Sequence, residues 1–375
     1  MSPFISEHVQ AARIMVVGCG ALGNEVLKNL VMTGVQHVAV VDYDRVESDN
    51  LSRSILFTRA DAMSGRLKVE AVAARLHEMN PDIHVTAING DICYDVGLGL
   101  IRTMDVVIGC VDNRWARYCI NRLCMRANIP WVDGGIDGLE GTARVFVPGE
   151  NCYACNLGPE GLKDLAYHMP CAGLIRQNIQ AGKAPTTSII ASIIGAVQVQ
   201  EALKIIHGQK SKVESQKQES ERDFTSLCGK MFYYEGAHLT TKLADFKAYD
   251  DDCPVHEQWT DIRPSYLTTS STVAEVLAAI DGGAFTLTND CFVDFVEDRE
   301  TGEQTQVMCP GHRVYEAVNR PSKSYQHEFR VIDRSFPYPN LTLAQLGIPK
   351  KDVLHIQSAQ NEYYLELNDE PGDIR

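Results

Sequence analysis

The sequence predicts an α/β fold in which a doubly wound, mostly parallel sheet is followed by a small α+β domain. An apolar, β-branched run near the amino terminus enters a glycine-rich turn and then an amphipathic helix. A second apolar run follows at residues 37–44, and a third ends at Cys110. Short apolar runs that alternate with helical patterns are typical of parallel sheets covered by helices on both faces.

The first strand and helix carry the pattern of a nucleotide-binding βαβ unit. The strand runs into Gly18, Gly20 and Gly23, and Asp42 ends the second strand. Glycines at these positions let the backbone approach a phosphate at a helix amino terminus, where unpaired N–H groups and the helix dipole favour anions. An acid at the end of the second strand is expected to accept hydrogen bonds from ribose hydroxyls. This unit predicts a Rossmann-like nucleotide site.

Polar residues soon after the second strand favour phosphate chemistry over hydride transfer. Asp44, Asn50, Arg53 and Lys68 are groups that a hydride-transfer enzyme does not need at this position. The two cations can hold a triphosphate and balance the charge on a departing pyrophosphate. For either cation alone, a solvated basic face is the simpler interpretation. The set as a whole predicts ATP.

A further acidic residue is expected at the same edge of the sheet. The strand that ends at Cys110 is followed by Asp112 and Asn113, and open α/β sheets bind ligands at the carboxyl ends of their parallel strands. A carboxylate among phosphates normally binds Mg2+. The alternative is that Asp112 caps the following helix, and the two roles need not exclude each other.

Composition and cysteine usage restrict the classes of function. The chain has 375 residues, twelve cysteines and a net charge of −14, which disfavours binding to nucleic acid. We see no secretory signal and no uncharged apolar run of about 18 residues, so we expect a cytoplasmic protein without a membrane partner. Its thiols are then reduced, metal-bound or catalytic. Cys152 and Cys155 have the spacing of half a tetrahedral zinc site.

These motifs together resemble those of the ubiquitin-activating and sulfur-carrier adenylyltransferase family, which includes activators of the thiamine and molybdopterin pathways. The resemblance covers about residues 11–260 and depends on GCGALGNEVLKNLVMTGV, DYDRVESDNLSRS, GRLKVEA and CVDN. It implies an adenylation domain at residues 1–262 and a reaction that adenylates the carboxyl-terminal glycine of a carrier protein. ATP is converted to AMP and pyrophosphate.

The resemblance also implies roles for individual residues. It implies that the three glycines line the nucleotide site, that Asp42 binds the ribose, and that Asp112 contacts Mg-ATP. Phosphate contacts are implied for Asn50, Arg53 and Lys68. Positioning and charge stabilisation carry such a reaction without a side-chain nucleophile.

Two departures from the family pattern are visible. Ser54 replaces the usual glutamine after Arg53, and the usual arginine-bearing helix before the first strand is missing. Family members dimerise through the adenylation domain, so a homodimer is expected. The source of an arginine supplied across that interface stays unassigned.

The family completes its zinc site with a second pair of ligands beyond the last strands of the domain. Here Cys253 and His256 occupy that place, which implies a structural zinc clip with three cysteines and one histidine. Cys309 and His312 have identical spacing and are the alternative pair.

In the ubiquitin-activating branch, the thioester cysteine lies in a crossover segment, here residues 156–187, and Cys171 takes its place in the sequence MPCAG. Ala172 departs from the usual threonine. A thiolate there can attack the acyl-adenylate, and nearby Arg176 or Lys183 favours ionisation. The alternative is a buried structural thiol.

Residues 208–223 are polar without apolar periodicity and predict a flexible insertion. Residues 263–375 predict the small α+β domain, with helices at STVAEVLAAI and LTLAQLG, strands in GAFTLTNDCFVDFVED and TQVMCPGH, and a hairpin in KKDVLHIQSAQNEYYLEL. Our hypothesis is that this domain recruits a conjugating enzyme. A rhodanese-like sulfurtransferase is disfavoured because Pro310 removes a backbone donor directly after Cys309.

Three functional classes follow. The first is an enzyme that adenylates a ubiquitin-like protein, carries it on Cys171 and passes it to a conjugating enzyme; its organisation resembles the activating enzymes of bacterial ubiquitin-like conjugation operons. The second is a sulfur-carrier adenylyltransferase without a thioester step. The third, a degenerate scaffold subunit, is disfavoured because Arg53, Lys68 and Asp112 are all present.

Overall fold

One large sheet and two smaller sheets organise the chain in the computed structural model, which describes residues 4, 6–168, 186–214, 225–318, 324–358 and 361–369. The strands of the large sheet are β1 Arg13–Val17, β2 His37–Val41, β3 His84–Ile88, β4 Val106–Gly109, β5 Trp131–Asp137, β6 Glu140–Phe146, β7 Lys230–Glu235 and β8 Thr240–Asp245. Their order is β3-β2-β1-β4-β5-β6-β7-β8.

The first five strands of this sheet pair in parallel, and the last three are added antiparallel at one edge. The direction of winding reverses between β1 and β4, where an open sheet forms a crevice beyond the strand ends. The prediction of a mixed α/β fold with a large, mostly parallel sheet is confirmed.

Helices cover both faces of the large sheet, as the continuous apolar pattern of β1 and β4 requires. The helices in the described part of the chain are α1 Ser6–Gln10, α2 Ala21–Thr33, α3 Arg59–Ser64, α4 Lys68–Met79, α5 Leu98–Ile101, α6 Arg114–Ala127, α7 Tyr153–His168, α8 Ser188–Glu214, α9 Val273–Ala279 and α10 Val314–Ala317. One core cluster joins the sheet to α2, α4 and α8, and a second joins it to α5, α6 and the start of α7.

Helix α8 lies in the core. By length and composition, Ser188–Gly208 is apolar enough to cross a membrane, but over half of it is buried inside the fold, against α2 and strands β4 to β6. The helix continues to Glu214. Residues 208–214 are therefore helical, which corrects the first part of the flexible insertion predicted over 208–223; residues 215–223 lie outside the described residues. Lysine, glutamine and glutamate have good helix propensity, so a polar stretch without proline can continue a buried helix.

The C-terminal region contains the two smaller sheets. Their strands are β9 Ile262–Pro264, β10 Ala284–Thr286, β11 Phe292–Asp298, β12 Gln304–Pro310, β13 Ser324–Phe329, β14 Val331–Ile332, β15 Val353–Gln357 and β16 Glu362–Glu366. Five form the sheet β14-β10-β15-β16-β9, and three form the sheet β12-β11-β13. The expected hairpin near the carboxyl end is β15–β16.

The sequence LTLAQLG forms a series of turns, so the helix predicted there is wrong. The reason is tertiary pairing. The Leu343 N–H donates to Ser271, and Thr342 forms an isolated bridge with Thr272 just before α9. These backbone contacts compete with a helical hydrogen-bond ladder, and Gly347 then ends the segment in the left-handed region at φ +86°.

The C-terminal region packs tightly on α5 and α6. The Leu98 N–H donates to the Asp352 carboxylate at 2.9 Å, and the Gly99 N–H donates to the carbonyl of Lys351 at 2.8 Å. A Cβ at Gly97 or Gly99 would overlap with this approaching backbone. These two glycines therefore allow the contact.

Asp352→Asn is expected to remove a pH dependence of stability. Burial raises the pKa of Asp352 to about 6, although the Leu98 and Val353 N–H groups lower it in part. In the unfolded chain this carboxyl titrates near 3.9. The folded state therefore binds the proton more tightly, and the free energy of unfolding falls as pH rises from about 4 to about 6.

We expect the stability of the asparagine variant relative to wild type to rise over this interval, by up to about 3 kcal/mol. Urea unfolding at several pH values from 4 to 8 measures the difference. Asp245→Asn, at an exposed carboxylate, is the control. Parallel curves for wild type and Asp352→Asn would contradict the expectation.

Candidate nucleotide-binding cleft

The glycine turn between β1 and α2 uses its three glycines in three ways. Gly18 has φ +96°, and a Cβ there would lie 2.6 Å from the carbonyl oxygen of Cys110. A Cβ at Gly23 would overlap with the carbonyl of Gly18, whereas Gly20 faces open space. No side chain in the described part of the chain caps α2. The turn therefore packs closely at two points and leaves its first N–H groups available to an anion.

Asp42, Asp44 and Lys68 form a charged cluster beside this turn. Asp42 accepts from the N–H groups of Cys19 at 2.6 Å and Asp44 at 2.8 Å, and Lys68 Nζ lies 2.8 Å from the Asp44 carboxylate. Burial lowers the pKa of Lys68, but the two carboxylates raise it by more, so the net shift is upward. Lys68 is thus a buried cation that stays charged at neutral pH.

The loop after β2 brings Asn50 and Arg53 to the same cleft. Asn50 accepts from the N–H of Glu47 at 2.9 Å and so closes the 3-10 turn Ser48–Ser52. The Arg53 guanidinium donates to the carbonyl of Asp49 at 3.1 Å. Asn50 thus shapes the loop, and Arg53 presents a half-buried charge to the cleft.

Asp112 and Asn113 have different roles in the turn after β4. The Asn113 side chain accepts from the Ala116 N–H at 2.7 Å and caps α6. The alternative in which Asp112 caps this helix is therefore wrong. Asp112 is exposed on the wall of the cleft.

Asn24, which the sequence analysis did not select, ties two parts of the cleft together. Its side chain is fully buried and donates to the carbonyls of Cys19 and Gly20. It also accepts from the Leu56 N–H at 2.8 Å. The glycine turn is thereby fixed to the loop that carries Arg53. An amide at a position where the helix is otherwise apolar was the signal available in the sequence.

A buried ion cluster supports the turn that carries Asp112. Asp133 on β5 is fully buried, contacts Arg144 and accepts from Arg117 Nε at 3.0 Å. Arg117 also donates to the carbonyls of Val111 at 2.7 Å and Gly134 at 3.0 Å. Burial lowers the pKa of Arg117, but Asp133, Tyr153 and Asp112 together raise it by more. The signal in the sequence for this cluster is an acid inside an otherwise apolar strand.

All the predicted nucleotide residues except Gly23 line one cleft of about 1460 Å3. The members are Gly18, Gly20, Asp42, Asp44, Asn50, Arg53, Lys68, Asp112 and Asn113. They come from the carboxyl ends of β1, β2 and β4, where an open sheet binds ligands.

The first two thirds of the chain match a known family: residues 5–255 fit the profile of the ThiF family. The chain belongs to this family. The resemblance to ubiquitin-activating and sulfur-carrier adenylyltransferases is thereby confirmed.

Named relatives of this ThiF-family chain fall into both branches. A SAMP-activating enzyme E1 of Haloferax volcanii is 29% identical over 245 residues, which is 65% of this chain and 80% of the relative. A sulfur carrier protein adenylyltransferase of Thermus thermophilus is 32% identical over 214 residues, 56% of this chain and 74% of the relative. The solved structure of E. coli MccB with ATP matches this chain with a TM-score of 0.52 and 21% sequence identity. The match covers 67% of this chain and 68% of the MccB chain, and it shows a shared fold.

A cysteine–histidine cluster joins the start of α7 to the segment after β8. Cys152 Sγ is 3.6 Å from Cys155 Sγ and 3.7 Å from Cys253 Sγ, and His256 Nε2 is 3.2 Å from Cys155 Sγ. All four ligand atoms lie within 4.8 Å of one another. Ligands of tetrahedral zinc stand about 3.5–3.8 Å apart, given bond lengths of about 2.0–2.3 Å. The residues therefore fit a Cys3His zinc site.

The alternative pair does not join this cluster. His312 is bound to Asp290 at 2.6 Å, and Cys309 lies on β12 beside the nucleotide cleft. Residues 169–185, with the predicted thioester cysteine Cys171, lie outside the described residues. The preceding helix α7 contains a break at Gly158, which has φ +71°.

Proposed function

We propose that this ThiF-family protein uses ATP to adenylate the terminal carboxylate of a ubiquitin-like or sulfur-carrier protein. The observation that carries the proposal is the convergence of the glycine turn, Lys68 and Asp112 on one cleft. Relatives named as a SAMP-activating enzyme and a sulfur carrier protein adenylyltransferase support it.

In this reaction, a carboxylate oxygen of the carrier attacks the α-phosphorus of ATP. The bond from that phosphorus to the bridging oxygen breaks, and pyrophosphate leaves with the electron pair. The N–H groups of the glycine turn bind phosphate oxygens, and Lys68 and Arg53 offset the charge that accumulates on the leaving group. Asp112 is the residue that would hold Mg2+, an ion that neutralises phosphate charge when bound.

Asp42 is suited to hold the ribose. Two backbone N–H groups already orient its carboxylate, and two carboxylate oxygens offer about four acceptor positions in all. The remaining positions can accept from the ribose hydroxyls without moving the side chain.

Exchange of labelled pyrophosphate into ATP tests the proposal. We expect exchange only with Mg2+ and a ubiquitin-fold protein that ends in Gly-Gly, taken from a panel of such proteins. The same carrier without its last glycine is the matched control and should support none. Exchange with no member of the panel would refute the proposal.

We propose further that the activated carboxyl passes to Cys171. Its thiolate would attack the carbonyl carbon of the acyl-adenylate, a C–S bond would form, and AMP would leave as the C–O bond breaks. A nonreducing gel should show a thiol-sensitive adduct that Cys171→Ala lacks. Cys309→Ala is the control: its thiol lines the cleft, but burial raises its pKa and disfavours the thiolate.

Adenylation without an adduct in wild type or Cys171→Ala would support the sulfur-carrier alternative. The relatives include an activating enzyme and a sulfur-carrier adenylyltransferase, so they support the two alternatives equally. A degenerate scaffold is the weaker alternative, since Arg53, Lys68 and Asp112 line one cleft. We also propose a homodimer and recruitment of a conjugating enzyme by the C-terminal region. Sedimentation of the full chain with and without that enzyme tests both.

We propose that Cys152, Cys155, Cys253 and His256 bind one structural Zn2+, because four protein ligands leave no open position. The site would clamp the start of α7 to the segment after β8. Cys253→Ala should lose about one equivalent of zinc and unfold at a lower temperature. Cys309→Ala is the matched control and should keep the metal. Equal zinc in wild type and Cys253→Ala would contradict this assignment.

A further inference from the structure

The C-terminal region forms a second wall of the nucleotide cleft. Met308, Arg313, Leu341 and Ile348 line the same cavity as the glycine turn. They belong to the end of β12, to the 3-10 turn Gly311–Arg313 and to the turns that replace the expected helix. This wall faces the residues that are assigned to ATP.

The wall is held by contacts within the C-terminal region and by one contact with the segment that follows β3. His312 Nδ1 lies 2.6 Å from the Asp290 carboxylate, and the His312 N–H donates to the same group at 3.2 Å. The His312 ring stacks on Tyr94, beyond the end of β3, with centroids 4.3 Å apart and planes 9° apart. A Cβ at Gly311 would lie 2.5 Å from Cys291 Sγ, so the turn packs closely on β11. Arg313 is therefore held at a defined position beside the cleft.

The cleft has room for more than a nucleotide. Its volume of about 1460 Å3 exceeds the range of about 300–1,000 Å3 typical of small-molecule sites. The groups assigned to phosphate, ribose and Mg2+ all come from the large sheet and its loops, and the C-terminal region supplies the opposite wall. Adenylation requires a second substrate in this space, because the attacking carboxylate must reach the α-phosphorus.

We propose that this second wall binds the extended carboxyl-terminal segment of the carrier protein, with Arg313 as the basic contact. The inference rests on the proposed function and names the part of the site that takes the protein substrate. Met308 and Leu341, which are partly buried, offer an apolar surface to the segment's side chains. The Arg313 guanidinium presents planar donors for its carbonyl or carboxylate oxygens.

Arg313 is available for such a contact. Its Nε is 3.5 Å from Glu316, and both side chains are at least half exposed, at 59% and 50%. Exposed pairs of this kind contribute little, so a substrate oxygen can replace Glu316. A nucleotide phosphate is the other ligand that a guanidinium could take, and the experiment separates the two.

The test measures initial rates of pyrophosphate exchange while carrier and ATP are varied separately. Arg313→Ala should raise the KM for the carrier about tenfold, because a charge-assisted hydrogen bond is lost, and leave the KM for ATP within about twofold. Arg313→Lys should fall between wild type and alanine. Arg330→Ala is the matched control, since this arginine of the same region is exposed, pairs with Glu328 and lies outside the cleft.

A raised KM for ATP with an unchanged KM for the carrier would assign the wall to the nucleotide and overturn the inference. Unchanged values for both substrates would also overturn it. If wild type shows no exchange with any carrier, the proposed function fails. Direct binding of the same carriers to wild type and Arg313→Ala without ATP then tests the inference separately. Weaker binding by Arg313→Ala than by wild type supports the inference, whereas equal binding, or no binding by either protein, refutes it.

Discussion

Lys68→Ala is expected to lower the rate of carrier-dependent pyrophosphate exchange by about 100-fold or more, the usual effect of removing a charge aimed at the transition state. Lys68 is only 8% exposed, and Asp42 and Asp44 keep its pKa above the ordinary value. It therefore offers a fixed positive charge in a partly dry site, where charge acts more strongly than in water. Water that enters the variant cannot replace a charge held in one place.

Three comparisons make this expectation specific. Lys68→Arg should recover only part of the rate, because the planar guanidinium does not fit the space of an ammonium group. Lys230→Ala, at an exposed lysine of β7, should exchange at the wild-type rate. The thermal unfolding temperature of Lys68→Ala should fall, because the variant leaves the buried Asp42 carboxylate without its cation, so rates are compared for folded protein only. A Lys68→Ala rate within about threefold of wild type would show that Lys68 does not stabilise the transition state.

Asp133→Ala is expected to reduce the free energy of unfolding by about 3–5 kcal/mol, because it leaves Arg117 and Arg144 without their buried partner. Asp133 is fully buried and contacts both guanidinium groups. Since Arg117 also donates to the carbonyls of Val111 and Gly134, its displacement should move the turn that carries Asp112. Exchange activity should therefore fall as well in the fraction that remains folded.

Chemical denaturation measures the first effect, and the exchange assay of the folded fraction measures the second. Asp133→Asn keeps the shape and one acceptor, so it should be destabilised less than alanine. Asp261→Ala removes an exposed partner of Arg263 and should leave the unfolding transition near that of wild type. An Asp133→Ala protein as stable as Asp261→Ala would show that the cluster adds nothing to the fold.

Local patterns were sufficient for part of the site. The strand, glycine turn and helix could be predicted because each depends on residue types within a short stretch, and the family resemblance followed from them. Asn24 and Asp133 were missed because their roles depend on partners distant in sequence. Asn24 binds a backbone group 32 residues away, and Asp133 binds Arg117 16 residues away. No local pattern specifies those partners.

The C-terminal region shows the same limit. Its helix α9 and the hairpin β15–β16 follow from capping and alternation, and both form. The turns at LTLAQLG could not be predicted, because they arise from pairing with the segment before α9. The extension of α8 to Glu214 was not predicted either, because the polar stretch is helical as the continuation of a helix that is buried in the core.

The sequence by itself determined the α/β class, the three-glycine turn and membership of the ThiF family, since these depend on residue type and short spacing. Only the tertiary structure decided that Cys253 and His256, rather than Cys309 and His312, meet Cys152 and Cys155. It also placed the C-terminal region on the nucleotide cleft. The physical reason is the same in both cases: the contacts join residues about a hundred or more positions apart, such as Cys152 and Cys253 at a separation of 101, and folding of the whole chain brings them together.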